Sequence, residues 1–154
     1  MKPKRDQQRA RVYAWENRIV APHDPTMIAF SAAQAMVNAI WAEMGLRYPP
    51  SVEPLPPQSR RTLASANRLT LYLPAQTPSW CLLHELAHAM TTTMEGESDG
   101  HGELFMGIYC QLLARYLRLD PENLHRTAQQ DSIRIAPTAR PVFLDPSLSP
   151  SLRA

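Results

Sequence analysis

The 154-residue chain is short of the features that place many proteins in a class at once. It has two cysteines, Cys81 and Cys110, too few for a disulfide framework or a four-cysteine zinc knot. No apolar run approaches the roughly 18 residues of a membrane span. The N-terminus, MKPKRDQQRARVYAW, is positive but lacks the apolar stretch of a signal peptide, so the expectation is a cytoplasmic protein with no membrane partner. Charged residues make up 19% and the formal net charge is +2, short of the strong basic excess of a dedicated nucleic-acid binder. Glycine numbers five, three of them at 96, 100 and 102, so the loop that needs unusual backbone angles lies near 95–102. What is present is a 44% hydrophobic fraction, enough at one domain's length to build a core and to exclude disorder of the whole chain.

Proline, unlike glycine, is abundant, and its 15 positions divide the chain. None falls between Thr26 and Tyr48 or between Ser79 and Asp120, so helices are expected there. Residues 5–18 read as a helix with Val12, Trp15 and Ile19 at helical spacing. A second helix is expected over 25–44, capped by Asp24 with Pro25 at its first position and stopped by Gly45. Its apolar stripe runs through Met27, Ile28, Ala32, Ala35, Met36, Ala39, Ile40 and Met44. Five prolines in 46–60 leave room for a short strand near Ser51–Leu55. The alternation of Arg68–Leu73, with Leu69, Leu71 and Leu73 on one face, marks a half-buried strand paired through a turn at Ala66-Asn67. Thr77-Pro78 opens a helix to about 93, a third long helix spans about 102–118, and Asp120-Pro121 caps a short one to about 131. Residues 1–134 thus form one α+β domain, with 1–22 a basic helical arm. Residues 135–154, with four prolines, are expected to be a disordered tail.

The chemistry sits in His84-Glu85-Leu86-Ala87-His88. Inside a helix, residues i and i+4 share a face, so both imidazoles can reach one metal ion. Glu85, one residue on from the first histidine, can hold a water on that metal and take its proton. A catalytic zinc takes three protein ligands and keeps one position open, so a third ligand is required. The metzincin continuation is excluded, because Thr91 and Met94 stand where its glycine and third histidine belong. A thermolysin-like glutamate some 20 residues on is not available in Gly107–Gln111. The loop at 95–103 offers Glu95, Glu97, Asp99, His101 and Glu103. His101 is favoured: it starts a helix that Leu104 and Phe105 anchor, and neutral imidazole suits zinc. Glu103 is the rival, and Asp99 is better placed as a helix cap or as an outer partner of a ligand histidine.

These residues carry a resemblance. HELAH followed by a loop and His-Gly-x-x-Phe resembles the SprT-like zinc-dependent metallopeptidases and related small zincins. The opening RDQQRARVYAWE is similar to a narrower group of bacterial metallohydrolases of unassigned substrate. The likeness spans about residues 5–119. It implies His84, His88 and His101 as zinc ligands and Glu85 as general base. It also implies a small α+β fold with the active helix beside a short antiparallel sheet. SprT-like proteins often carry a DNA- or zinc-binding extension, and none is read here, which weakens a DNA-linked role.

The expected function is therefore zinc-dependent hydrolysis of amide bonds, with a polypeptide as substrate. The strand Arg68–Leu73 is expected to align that substrate along a free edge. Tyr72, Tyr109, Tyr116 and Arg68 are candidate donors to a tetrahedral intermediate. Cys81 reads as a small buried apolar residue. The arm carries Lys2, Lys4, Arg5, Arg9, Arg11 and Arg18 against Asp6 and Glu16. It is read as a solvated face packing Val12 and Trp15, with nucleic-acid contact the weaker alternative. Two rival functions stand: a binding module whose structural zinc takes a fourth ligand from Glu97, Asp99 or Glu103, and a hydrolase of a non-peptide amide.

Overall fold

The computed structural model describes residues 6, 8–23, 26–56 and 65–142. Those residues form five α-helices and two small sheets, an α+β arrangement. Helix α1, Arg9–Trp15, has no proline or glycine and turns Val12 and Trp15 inward. The chain then widens into a π-helical turn, Glu16–Val20, that buries both Glu16 and Val20. Glu16, four residues past the buried Val12, stands on the same inward face. Such π-helical turns recur at functional sites.

The second helix differs from expectation. Met27–Ala29 form strand β1, and helix α2 runs from Phe30 to Glu43. Strand β5, Gln76–Pro78, captures β1 in an antiparallel ribbon that pairs Ile28 with Thr77. The Phe30 amide donates to the Ala75 carbonyl at 2.9 Å and the Ser79 amide to that of Thr26 at 3.0 Å. Thr77 therefore belongs to the ribbon and caps no helix. The proposed cap at Asp24-Pro25 lies outside the described residues. The buried face of α2 is Ala33, Val37, Ile40 and Trp41, while Ala32, Ala35, Met36 and Ala39 are exposed. An alanine-rich helix offers little contrast between faces, and the bulk of Trp41 sets the orientation.

The second sheet has the order β2-β4-β3, with β2 Ser51–Pro54, β3 Ser65–Ala66 and β4 Thr70–Leu73. Strand β4 runs parallel to β2 and antiparallel to β3. It lies at the centre, so the expectation that it presents a free edge is corrected. Leu71 and Leu73 are buried, whereas Leu69 falls in the preceding turn and is exposed. The Asn67 side-chain oxygen accepts from the Leu69 and Thr70 amides, both at 2.9 Å, and fixes that turn.

Helices α3, Ser79–Met90, and α4, Glu103–Tyr116, pack together at the centre of the core. Leu82, Leu86, Met90, Phe105, Ile108 and Leu112 are fully buried between the layers. Helix α5, Pro121–Gln130, is capped by Asp120, which accepts from the Glu122 amide. It meets the arm where Trp15 Nε1 donates to Thr127 Oγ1 at 2.8 Å. Among the described residues no helix is long and apolar enough to cross a membrane.

Residues 135–142, expected in a disordered tail, instead lie across α4. The Ala136 amide donates to the Glu103 carbonyl at 3.0 Å, Gln111 Nε2 to the Ala139 carbonyl at 2.8 Å, and the Val142 amide to the Met90 carbonyl at 3.0 Å. Residues 143–154 lie outside the described residues. The crossing explains a glycine in mid-helix. A Cβ at Gly107 would overlap the Ala136 carbonyl oxygen and sit 2.8 Å from Ala139 Cβ. By propensity alone, Gly107→Ala would stabilise α4 by about 1 kcal/mol. The packing reverses the sign: urea denaturation is expected to show a loss of about 1–3 kcal/mol, and a gain would mean the 135–142 segment is not seated on α4.

Candidate metal centre

Two of the expected ligands come from one face of α3. His84 is buried and His88 half-buried, one turn apart, with Nε2 atoms separated by 3.1 Å. Past Met90 the helix stops. Thr91 Oγ1 donates to the Ala87 carbonyl at 2.8 Å and Thr92 Oγ1 to that of His88 at 2.5 Å. The chain returns through Gly96 and Gly100, both at positive φ, and this return brings in His101. Asp99 closes the loop by capping α4, accepting from the Leu104 amide at 2.7 Å and the Phe105 amide at 3.3 Å.

The His101 Nε2 lies 3.2 Å from that of His88 and 3.3 Å from that of His84. The three nitrogens form a nearly equilateral triangle. A tetrahedral ion with metal–nitrogen bonds of about 2.0–2.1 Å spaces its ligand nitrogens about 3.3–3.4 Å apart, so the residues present fit a metal ion, and they could hold one.

The other ring nitrogens strengthen that fit. His84 Nδ1 donates to Glu16 Oε2 at 2.5 Å and His101 Nδ1 to Asp6 Oδ2 at 2.6 Å. Each carboxylate fixes the tautomer, so in the neutral rings the Nε2 lone pairs of His84 and His101 face each other with no proton between them. A cation resolves that repulsion. Tyr109, wholly buried, donates its hydroxyl to the same Glu16 oxygen at 2.6 Å. Such outer partners orient ligand histidines and raise their basicity.

Phe105 is the packing hub. It stacks on His88 with centroids 4.4 Å apart and meets His84 and His101 edge-on at 4.9 and 5.0 Å. Burial, with His84 and His101 nearby, holds the His88 ring well below its usual pKa, so it stays neutral and able to ligate. Burial also lowers that of His101, against the upward pull of Asp6. For His84 burial pushes down, but Glu16 outweighs it and the net direction is up. Glu85 is buried and its carboxyl is pushed up to about 7 by desolvation, with His84 opposing and Glu16 assisting. A cavity of about 320 Å³ opens onto His88 and Glu85, bounded by Tyr13, Asn67, Thr92 and Ser98.

The other candidates lie elsewhere. Glu103 is exposed on the first turn of α4 and Glu95 and Glu97 are exposed on the loop. None of the three joins the histidine cluster. Cys81 is half-buried, its thiol pushed up to about 12 by burial with Glu85 and Glu16 adding. Tyr109 is committed to Glu16, Tyr116 donates to Glu43 at 2.5 Å, and Arg68 lies over the Trp41 ring. None of these lines the cavity, nor does Tyr72.

Sequence reasoning missed Asp6, Tyr13 and Glu16, three residues of the arm that surround the imidazoles. Asp6 and Glu16 entered only as charges offsetting lysine and arginine. The one available signal was the phase of Glu16, directly beside the inward-facing Trp15.

Glu16→Gln keeps the side chain's size but removes the negative charge at the oxygen where the His84 and Tyr109 donors meet. Zinc affinity, measured by competition with a chromophoric chelator, is expected to fall about 10- to 100-fold; wild-type affinity would show that His84 needs no fixed tautomer. No protein-family model, curated protein or solved structure matches this chain, which leaves the geometry of the three imidazoles to carry the functional reading.

Proposed function

We propose that the chain is a zinc-dependent hydrolase of the minimal zincin type that cleaves amide bonds in a polypeptide. The observation that carries this reading is the triangle of His84, His88 and His101 Nε2 atoms, 3.1–3.3 Å on a side, with Glu85 beside it in an open cavity. Three imidazoles are a donor set suited to zinc. When bound, zinc would supply a Lewis acid for the scissile carbonyl and lower the pKa of a water toward about 7.

The chain's own residues account for the rest. The Glu85 carboxylate, one residue from the first ligand, accepts a proton from the attacking water and carries it to the leaving amine. Burial raises its pKa, and a raised pKa makes the carboxylate a stronger proton acceptor. A polypeptide is favoured by the sheet. Among the described residues β3 is an outer strand, and Ala66 and Asn67 at its end line the cavity. An extended peptide can add to such an edge by backbone hydrogen bonds.

The structural-zinc reading requires a fourth, closed ligand. Among the described residues the cluster contains three, and the cavity opens beside them. The decisive experiment combines metal analysis by mass spectrometry with hydrolysis of a denatured protein substrate. Wild type and Glu85→Gln are each expected to hold about one zinc per chain, with turnover in the variant reduced by about 10²–10⁴-fold. His101→Ala, with two of the three imidazoles left, is expected to hold well under one zinc per chain. Chelation should leave circular dichroism largely unchanged; global unfolding on chelation would favour a structural site, and full activity of Glu85→Gln would refute the proposed base.

A further inference from the structure

His84 and His88 are held by the backbone of α3, but His101 is not in a helix. It ends a loop whose residues 94–98 are exposed. Its position comes from the arm. The His101 amide donates to Asp6 Oδ1 at 3.1 Å and its Nδ1 to Asp6 Oδ2 at 2.6 Å. Its carbonyl accepts from Gln8 Nε2 at 2.9 Å. Every polar group of His101 except Nε2 is thus bonded to Asp6 or Gln8. Gln8 is itself buried and bridges onward, its Oε1 accepting from the Arg134 amide at 2.6 Å and its Nε2 reaching the Arg134 carbonyl at 3.3 Å. Gly100, at φ +64°, lets the loop press against the arm, since a Cβ there would sit 2.8 Å from the Asp6 carboxyl group.

We infer that Asp6 and Gln8 are positioning residues that deliver the third ligand, so that seating of the leading end of the arm and binding of metal are one linked equilibrium. This rests on the metal reading proposed above. The next part of the arm is anchored independently, because Val12 and Trp15 are fully buried in the core. The leading end has no comparable apolar anchor among the described residues: Asp6 is exposed, and Gln8 is held by polar contacts. Asp6, by accepting a hydrogen bond from Nδ1–H, aims the His101 Nε2 lone pair at that of His84, 3.3 Å away. With a cation between them the arrangement is favourable. With neither a metal ion nor a proton between them it is repulsive, and releasing His101 together with Asp6 relieves it. Linkage is reciprocal, so whatever the arm adds to metal affinity the metal adds to arm docking.

The test uses the full chain and zinc alone. Affinities of wild type, Asp6→Ala, Gln8→Ala, His101→Ala and the Asp6→Ala/His101→Ala double variant are measured by competition with a chromophoric chelator. Asp6→Ala is expected to bind about 10- to 100-fold more weakly than wild type, and Gln8→Ala to shift in the same direction. The double variant is expected to match His101→Ala, since Asp6 acts through His101; a purely structural role would weaken both backgrounds by the same factor. Wild-type affinity in Asp6→Ala, or full additivity, overturns the inference. Should a variant fail to fold, amide exchange of the wild type decides: zinc is expected to slow exchange at His101 and at residues 8–10 together, and arm exchange indifferent to zinc overturns the coupling. A wild type that takes up no zinc refutes the metal reading and this inference with it; zinc uptake that is indifferent to Asp6 refutes this inference alone.

Discussion

Three imidazole nitrogens converge to within 3.1–3.3 Å of one another, and much of the structure serves to hold them there. Rings brought this close with their lone pairs inward repel unless a cation lies among them. The arrangement therefore needs support from outside. That support is of two kinds, aromatic packing and charge-assisted hydrogen bonds. Phe105 touches all three rings, and Tyr13 packs against His84 and His101 from the cavity side. Glu16 and Asp6 hold two of the three distal nitrogens.

Burying Glu16 is costly in isolation, because an ionised carboxylate loses its hydration. Here its Oε2 receives both the Tyr109 hydroxyl and the His84 ring N–H. Glu16, at the start of the π-helical turn, brings that oxygen into the core beside Trp15. Helix α4 thus contributes to the centre at three levels: His101 precedes its first turn, Phe105 packs beneath the rings, and Tyr109 one turn later secures the buried carboxylate. Their spacing of four residues puts the two aromatic residues on one face.

The two ends of the described chain meet at this helix. Gln8 joins the arm to the His101 carbonyl and to Arg134, and the segment that follows Arg134 runs over Gly107 to the end of α3. His101 is fixed from both ends of the described chain, whereas His84 and His88 share the backbone of α3 and His84 is further held by Glu16. The backbone positions of His84 and His88 are set locally by α3, and that of His101 depends on contacts more than 90 residues apart in sequence.

The sequence by itself determined what local rules govern. His84 and His88 share a face because an α-helix repeats every 3.6 residues, and proline-free stretches locate the helices that matter. Asp120 caps α5 because a carboxylate there satisfies a free amide. His101 was legible as a histidine at the start of a helix after a glycine-rich loop. The sequence also misled where local signals were weak: β1 was read as helix because three apolar residues before Phe30 do not reveal the partner at 76–78, and the alanine-rich face of α2 was assigned the wrong side. Only the tertiary structure decided that the arm surrounds the three imidazoles. Asp6 and Glu16 are unremarkable acids in a basic segment, and their role depends on which imidazole lies opposite them once the chain has folded. Pairings across 68 to 95 residues leave no periodic trace in a sequence, because hydrogen bonds between distant groups obey geometry that only the packed core supplies.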